Sequence, residues 1–245
     1  MRKFVMMCSL VGKSYCERRS LNGDVTVNVM HSQGDRALRQ LWGIEPPAAK
    51  GPKARWTLAE VAAAAVELAD EIGLEAISLA RVAARLDMTT TGLYRYVDAK
   101  ATLIELMIDS AVGDPPAIEG DGWQDRCRTW TELLADRYAQ HPWLCEVKPT
   151  GMPTQPRAYA WIDALLAAIA DDAPVDALRL AMLLDSLIRT YATLERTTNG
   201  TPPPAWLGRA VAERFPRLAG AEQQDVTDVR AELRYAVDAV LRGAV

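Results

Sequence analysis

The stretch "RVAARLDMTTTGLYRYVDAK", residues 81–100, places three threonines, a glycine and two tyrosines on one short segment between alanine-rich stretches. Hydroxyl groups and glycine add little to apolar burial, so a stable core does not need this segment. Its composition therefore predicts a surface that serves another molecule. Alanine, leucine, valine and arginine dominate the regular stretches on both sides, which favours helices over strands.

Helix signals frame this segment. Thr57 and Glu60 form the S/T-x-x-E pattern of a capping box, which predicts that a helix begins here. Apolar residues recur at helical spacing from there to Gly73, a typical helix stop: Leu58, Val61, Ala65, Leu68 and Ile72. Ser78 is the predicted cap of a second, short helix, and the chain turns again at Asp87 before a third helix of about two turns. Two short helices joined by a turn of about three residues are typical of a helix-turn-helix.

The third predicted helix suits contact with DNA. Thr90, Thr91 and Gly92 are small enough to let a backbone approach the major groove, and hydroxyl groups donate to phosphate oxygens. Tyr94 and Tyr96 lie about 200° apart around a helix, so we expect one of them to pack inward. A plain helical hairpin with a polar surface fits the same helix geometry and stays open at this point.

The segment "SLARVAARLDMTTTGLYRYVDAKATLIELM", residues 78–107, resembles the DNA-binding region of the tetracycline-repressor (TetR) family, in which T/S-x-x-L-Y-x-Y/H-[FV]-x-x-K recurs. The match extends over about residues 57–110, and Leu93, Tyr94, Tyr96, Val97 and Lys100 are all in register. The lead-in "DRALRQLWGIEPPAAKGPKARWT", residues 35–57, resembles the branch with a tetracycline-repressor-like C-terminal domain.

The resemblance implies a role for individual residues. Those matching Thr90, Thr91 and Gly92 approach bases, and those matching Tyr94, Tyr96 and Lys100 contact phosphates. The complete predicted set of DNA-contacting residues is Ser78, Arg81, Thr89, Thr90, Thr91, Gly92, Tyr94, Arg95, Tyr96 and Lys100. Two positions depart from the family pattern: Asp87 stands where glycine is usual, with φ expected to be positive, and Ala80 stands where many members carry arginine.

Charge is distributed unevenly along the chain. Residues 1–56 hold ten Lys or Arg against four acids, whereas residues 57–110 hold four basic residues against nine acids. Nonspecific affinity for DNA is therefore expected to depend on the front arm and a few placed cations. For the arm, a solvated leader and a phosphate-contacting tail both remain open, and residues 1 to about 35 also fit an overextended translation start.

Composition divides the chain into three parts. Residues 1–52 are predicted to be a basic, flexible N-terminal arm, residues 53–112 the helix-turn-helix domain, and residues 113–245 an effector-binding and dimerisation domain. Proline-rich loops, "GIEPPAAKGPKARW" (43–56) and "VGDPPAIEGDG" (112–122), mark the borders. The fold class expected is all-α, with an N-terminal three-helix helix-turn-helix DNA-binding domain and a larger helical ligand-binding and dimerisation domain.

Two helical stripes are candidates for a subunit interface. Their members are Val226, Val229, Leu233, Ala236 and Val240 on one helix, and Ala177, Leu180, Leu184, Leu187, Tyr191 and Leu194 on another. Periodicity alone favours a core within one chain. The family resemblance implies instead a four-helix bundle between two chains, which would hold two helix-turn-helix units at half-sites one helical turn apart, so we expect a homodimer.

The resemblance also implies a small-molecule pocket in the second domain. The candidate lining residues are Trp130, Leu134, Tyr138, His141, Tyr159, Ile162, Asp185, Ile188 and Tyr191. Most of these also fit an ordinary core. His141, which precedes Pro142, is more typical of a capping or surface histidine, and Asp185 with Arg189 fits a simple salt bridge.

Other function classes find little support. The chain has two histidines and no GxSxG, HExxH, dinucleotide or phosphate-loop motif, so no enzyme activity, cofactor or metal is expected. Four scattered cysteines and no credible signal or membrane span favour a cytoplasmic protein. The function expected is a ligand-responsive repressor that binds a palindromic operator and is released by a small molecule. The alternative is a helical ligand- or protein-binding dimer that has lost specific DNA binding.

Overall fold

The computed structural model describes residues 33–45, 55–148, 151–170, 173–198, 204–219 and 228–244. Every regular element in these ranges is helical, which confirms the all-α prediction. The α-helices are α1 (Gln33–Leu41), α2 (Leu58–Ile72), α3 (Leu79–Arg85), α4 (Thr90–Leu93), α5 (Lys100–Val112), α6 (Trp123–Gln140), α7 (Pro156–Ile169), α8 (Ala177–Thr198), α9 (Leu207–Arg214), α10 (Pro216–Ala219) and α11 (Val229–Gly243), with a 3₁₀ helix at Pro142–Glu146. None of the helices in the described ranges could cross a membrane.

The predicted capping signals at the start of the head are confirmed. The Thr57 hydroxyl accepts from the Glu60 N–H at 3.2 Å, and the Glu60 carboxylate accepts from the Thr57 N–H at 2.6 Å. These hydrogen bonds to Thr57 lower the pKa of Glu60. Gly73 ends α2 with φ at 80°, and the Ser78 hydroxyl caps α3 by accepting from the Arg81 N–H.

Helices α2 to α5 form the head around one apolar centre. α2 packs against α5 and α3, and α3 packs against α4. Their inward residues are fully enclosed: Val61, Ala65, Val82, Leu93, Leu103, Leu106 and Met107. Because Leu93 lies inside this centre, the exposed side of α4 is held on a rigid base.

A second bundle contains α6, α7, α8 and α11. The indole rings of Trp130 on α6 and Trp161 on α7 meet edge to face at 6.3 Å. The Trp130 indole N–H also donates to the carbonyl oxygen of Trp161 at 2.8 Å. Both side chains are fully buried, so this pair fixes the packing of α6 on α7.

The stripes predicted for a subunit interface lie largely within one chain. Helix α11 packs along α8, and the stripe members Val229, Leu233, Leu180 and Leu184 are buried within the single chain. Assigning these four residues to a contact between chains was wrong. The i, i+4 spacing of apolar residues serves either kind of helix pairing, and here the neighbouring helix of the same chain satisfies it. Val226 lies outside the described residues.

The flexible arm predicted for residues 1–52 needs correction where the structure describes it. Residues Gln33–Leu41 form α1, which packs against α5. The helix ends in a Schellman motif, because the Gly43 N–H donates to the Gln40 carbonyl and the Ile44 N–H donates to the Arg39 carbonyl. Gly43 has φ at 66°, which glycine adopts without strain. The rest of the predicted arm, residues 1–32 and 46–52, lies outside the described residues, and the limits of the domains stay predictions.

Candidate nucleic-acid interface

The turn of the helix-turn-helix depends on Asp87. Its φ is 51°, as expected from its replacement of the usual glycine. The Asp87 N–H donates to the Ala84 carbonyl at 3.1 Å, and the Met88 N–H donates to the Ala83 carbonyl at 3.0 Å. This is a second Schellman motif, and it turns the chain sharply from α3 into α4.

Helix α4 is a single turn built on its own cap. The Thr89 hydroxyl accepts from the Gly92 N–H at 3.1 Å, and a Cβ at Gly92 would stand 3.3 Å from that hydroxyl oxygen. Glycine therefore lets the cap lie close to the helix. The helix is shorter than the two turns predicted, because the N–H groups of Arg95 and Tyr96 bond three residues back and tighten the chain after Leu93.

The two tyrosines point in different directions, which confirms that one of them packs inward. Tyr94 is 48% exposed, on the same surface as the exposed Thr91 and Arg95. Tyr96 is half-buried, and its hydroxyl accepts from the Trp56 N–H at 3.4 Å. The phosphate contact predicted for Tyr96 would have to share that hydroxyl with the backbone.

Two of the predicted cationic contacts converge on the loop before α3. The Arg81 guanidinium donates to the Ala76 carbonyl at 3.0 Å, and the Lys100 ammonium donates to the Glu75 carbonyl at 3.4 Å. Because these carbonyls belong to consecutive residues, the starts of α3 and α5 bring two positive charges together. In contrast, Arg85 is occupied by Glu71 and Glu67 on α2. The roles of the individual residues at DNA stay predictions.

The chain is similar in sequence to a known helix-turn-helix regulator. It is 37% identical over 137 residues to the HTH-type transcriptional repressor DrrR1 of Streptomyces coeruleorubidus, across 55% of this chain and 51% of that protein. The chain thus spans about half the length of the curated relatives it matches. No family model matches it.

Solved structures share the arrangement of head and bundle. A possible TetR family transcriptional regulator from Streptomyces coelicolor A3(2) matches with a TM-score of 0.62 at 24% identity, over 76% of this chain and 98% of that one. The chain has the TetR-family fold. ActR of the same species, in complex with actinorhodin, matches with a TM-score of 0.59 at 18% identity, over 78% and 96% of the two chains. The predicted resemblance and fold class are thereby confirmed.

Within this TetR-family fold, the predicted effector-contacting residues fall into separate places. Trp130, Leu134, Tyr138 and Ile188 are buried in the bundle, and their contact with an effector stays a prediction. Arg189 lies 5.6 Å above the Tyr138 ring and also pairs with Asp185 at 2.8 Å, so both interpretations of that polar pair remain compatible with the structure. Burial raises the pKa of Tyr138.

The other candidates lie at separate places in the described part of the chain. The His141 imidazole contacts the Asp70 carboxylate of the head at 3.0 Å, and the Tyr159 hydroxyl donates to the Pro153 carbonyl at 2.9 Å. Ile188 and Tyr191 line a cavity of about 10 Å³, too small for an effector. A larger cleft of about 220 Å³ between α6 and α11 is lined by Arg128, Thr131, Glu132, Arg234, Val237 and Asp238, none of them predicted.

Sequence reasoning missed the junction between α5 and α7. The Asp109 carboxylate, 1% exposed, accepts from the Arg157 N–H and from its guanidinium, both at 2.9 Å. Burial raises the pKa of Asp109, although the neighbouring Arg157 opposes that rise. Asp109 stands on a mostly apolar helix, and a charged residue at such a position is buried only with a partner. That position was the sequence signal that could have predicted an ion pair here.

Proposed function

We propose that this chain is a ligand-responsive DNA-binding transcriptional regulator that represses genes as a homodimer on a palindromic operator. The observation that carries the proposal is the exposed tip of α4, where Thr91, Tyr94 and Arg95 stand on a base fixed by buried Leu93. Such a tip fits the major groove, and Arg81 and Lys100, which meet at the loop before α3, supply positive charge for phosphates. A regulator of this kind acts in the cytoplasm and needs no catalytic group.

Exposed apolar residues on α8 and α11 support the homodimer. Met182 and Leu183 on α8 and Tyr235 on α11 are exposed large hydrophobic side chains in the described part of the chain. Apolar side chains grouped on adjacent helices favour association with a second copy. Sedimentation velocity should give a dimer at micromolar concentration, and Leu183→Glu should shift the protein towards monomer.

Release by a small molecule is proposed from the fold and from the aromatic interior of the bundle. ActR, which shares the fold, has been solved with actinorhodin bound. In this chain, Trp130, Trp161 and Tyr138 are buried aromatic side chains of the bundle, and they would stack on a planar effector if the bundle opens to admit one. A molecule that favours the state with separated heads by about 3 kcal/mol would lower operator affinity roughly a hundredfold.

The deciding experiment is fluorescence anisotropy of the full chain on duplexes tiled across the DNA flanking its own gene. One duplex should bind at least a hundredfold more tightly than a random duplex of equal length at 150 mM salt, as specific regulators do. Equal affinity for all duplexes would overturn the proposal. Thermal-shift screening of small aromatic compounds would then identify effectors, and a stabilising compound should release the bound duplex.

The alternative, a ligand- or protein-binding dimer without specific DNA binding, has its own support. Residues 57–110 carry more acids than basic residues, and exposed Ala80 replaces a common family arginine near the tip. A dimer that is stabilised by a screened compound but binds no duplex above the random level would favour this alternative. Ala80→Arg would then be expected to restore measurable DNA affinity.

A further inference from the structure

Trp42, just after α1, is attached to the effector-binding bundle by two directional contacts. Its indole N–H donates to the Thr154 carbonyl at 2.7 Å. Its ring lies 5.6 Å from the ring of Tyr159 on α7, at an interplanar angle of 57°. The side chain is nevertheless 44% exposed, so it covers a junction on the surface and does not fill a core.

The segment that Trp42 contacts is also bound to α5. The Thr154 hydroxyl donates to the Glu105 carboxylate at 2.7 Å, and the Gln155 amide donates to the same carboxylate oxygen. Two residues later, Arg157 binds Asp109 through its backbone and its guanidinium. Residues 154–157 therefore lie along the second half of α5.

Helix α1 contacts α5 directly as well. Ala37 is 2% exposed and belongs to the main hydrophobic core, and Leu41 packs against that core. α5 begins in the head at Lys100 and ends against α7 near Val112. Helix α1 therefore contacts α5, the helix that begins in the head. Trp42, just after α1, also contacts the bundle on which α5 packs.

We propose that residues 33–45 form a strap that holds α5 at one angle on the bundle, and that Trp42 attaches this strap to the bundle. Local opening of this strap would remove one of three described attachments of the head and so loosen its angle on the bundle. The other two are Glu105 with Asp109 on α5, and Asp70 on α2, whose carboxylate binds His141 and Trp143. The consequence for operator affinity rests on the proposed function. The strap itself is a property of the fold and is testable without DNA.

Strap closure is measured by hydrogen–deuterium exchange on the full chain. Trp42→Ala should speed exchange in peptides covering 105–112 and 156–161 about tenfold. Trp42→Phe keeps an aromatic ring and removes the N–H donor, so it should give an intermediate rate. It also keeps the test valid if the alanine variant misfolds. Trp206→Ala removes another exposed indole, 66% exposed on the chain, and should leave these peptides unchanged.

The same variants are then assayed on the tightest-binding duplex from the tiled set. Trp42→Ala should lower affinity about fivefold, although Trp42 lies away from the α4 tip. Unchanged exchange in both Trp42 variants would overturn the strap. Faster exchange with unchanged operator affinity would overturn its control of the head. Absence of any duplex binding by the wild-type chain would remove the proposed function, and exchange alone would still decide whether the strap exists.

Discussion

The hydroxyl of Tyr96 accepts a hydrogen bond from the backbone N–H of Trp56 at 3.4 Å, which joins the segment after α4 to the residue before the cap of α2. Tyr94, two residues earlier, exposes nearly half of its surface. One phenol therefore serves the fold, and the other is available to a partner. Their near-identical chemistry makes them a matched pair for mutation.

Tyr94→Phe should weaken binding to every duplex roughly tenfold, because a hydrogen bond to a charged phosphate is worth about 1.5 kcal/mol. Its thermal stability should not change. Tyr96→Phe should instead lower the free energy of unfolding by about 0.5 kcal/mol, since its long hydrogen bond is weak, and should barely affect DNA affinity. Anisotropy and thermal unfolding on both variants provide the test. Equal losses of affinity would assign Tyr96 to the phosphate backbone as well.

Lys100→Ala should weaken binding to the operator and to random duplexes by the same factor. An ammonium group at a phosphate releases one counterion, so the slope of log affinity against log salt should fall by about 1. Lys148→Ala removes an exposed lysine beyond the 3₁₀ helix and is the matched control, with no expected change in slope. A Lys100 variant with the wild-type slope would show that this ammonium serves only the Glu75 carbonyl.

Changes at the α4 tip should alter which operator is preferred. Thr90→Ala and Thr91→Ala should each reduce discrimination between the operator and a single-base variant about tenfold, the usual worth of one base contact. Competition titrations with a panel of single-base variants measure this. Matching losses on the operator and on random DNA would argue against base reading by these hydroxyls.

Local signals predicted the head well. The cap at Thr57, the stop at Gly73 and the cap at Ser78 each depend on hydrogen bonds within a few residues, so the sequence contains their cause. The positive φ of Asp87 followed from a family pattern read at a single position. Gly43 is an equally local signal for the end of a helix, but the prolines that follow it favour a linker, so the sequence analysis did not predict α1.

Contacts between helices that are distant in the sequence were harder to predict. The apolar spacing of α8 and α11 does not reveal whether the partner helix belongs to the same chain, and here the buried seam is internal. The nine predicted effector residues were chosen by residue type and spacing, which do not specify where helices cross. His141 consequently meets Asp70 of the head, and Tyr159 meets Trp42, at positions that only the packing of separate helices determines.

Cys127 provides a test of the bundle interior. Its thiol is fully buried, and that burial raises its pKa to about 11 from an ordinary value near 9. The native thiol should therefore resist a thiol reagent at pH 8. The unfolded chain loses this proton first as pH rises from 9 to 11, so stability should fall across that window, by about 1 kcal/mol at pH 10.

The comparison for Cys127 is a variant without the thiol. Cys127→Ala should lose less stability between pH 9 and pH 11 than the wild-type chain, when thermal midpoints are followed through that range. Cys145→Ala, which removes a half-buried thiol at the edge of the bundle, is the control and should follow the wild-type curve. Identical alkaline curves for wild type and Cys127→Ala would contradict a well-packed site around this thiol.

Asp87 makes a last prediction about the turn. In the left-handed region, a residue other than glycine lowers the free energy of unfolding by roughly 1–2 kcal/mol. Glycine avoids that strain, but its more flexible unfolded chain lowers the free energy of unfolding by about 0.5–1 kcal/mol. Asp87→Gly should thus raise the free energy of unfolding by about 0.5 kcal/mol. Its ion pair with Arg55 is exposed on both sides and offsets little of this.

Asp87→Asn and Asp87→Ala complete the series. Asparagine tolerates positive φ as aspartate does, so its stability should stay near wild type, whereas alanine should be less stable by about 1 kcal/mol. Urea unfolding at fixed salt gives the ranking glycine, then aspartate with asparagine, then alanine. The hydrogen bonds from the N–H groups of Asp87 and Met88 set the direction of α4. A glycine variant that is more stable but binds DNA less well would therefore show that strain at this turn positions the tip of α4.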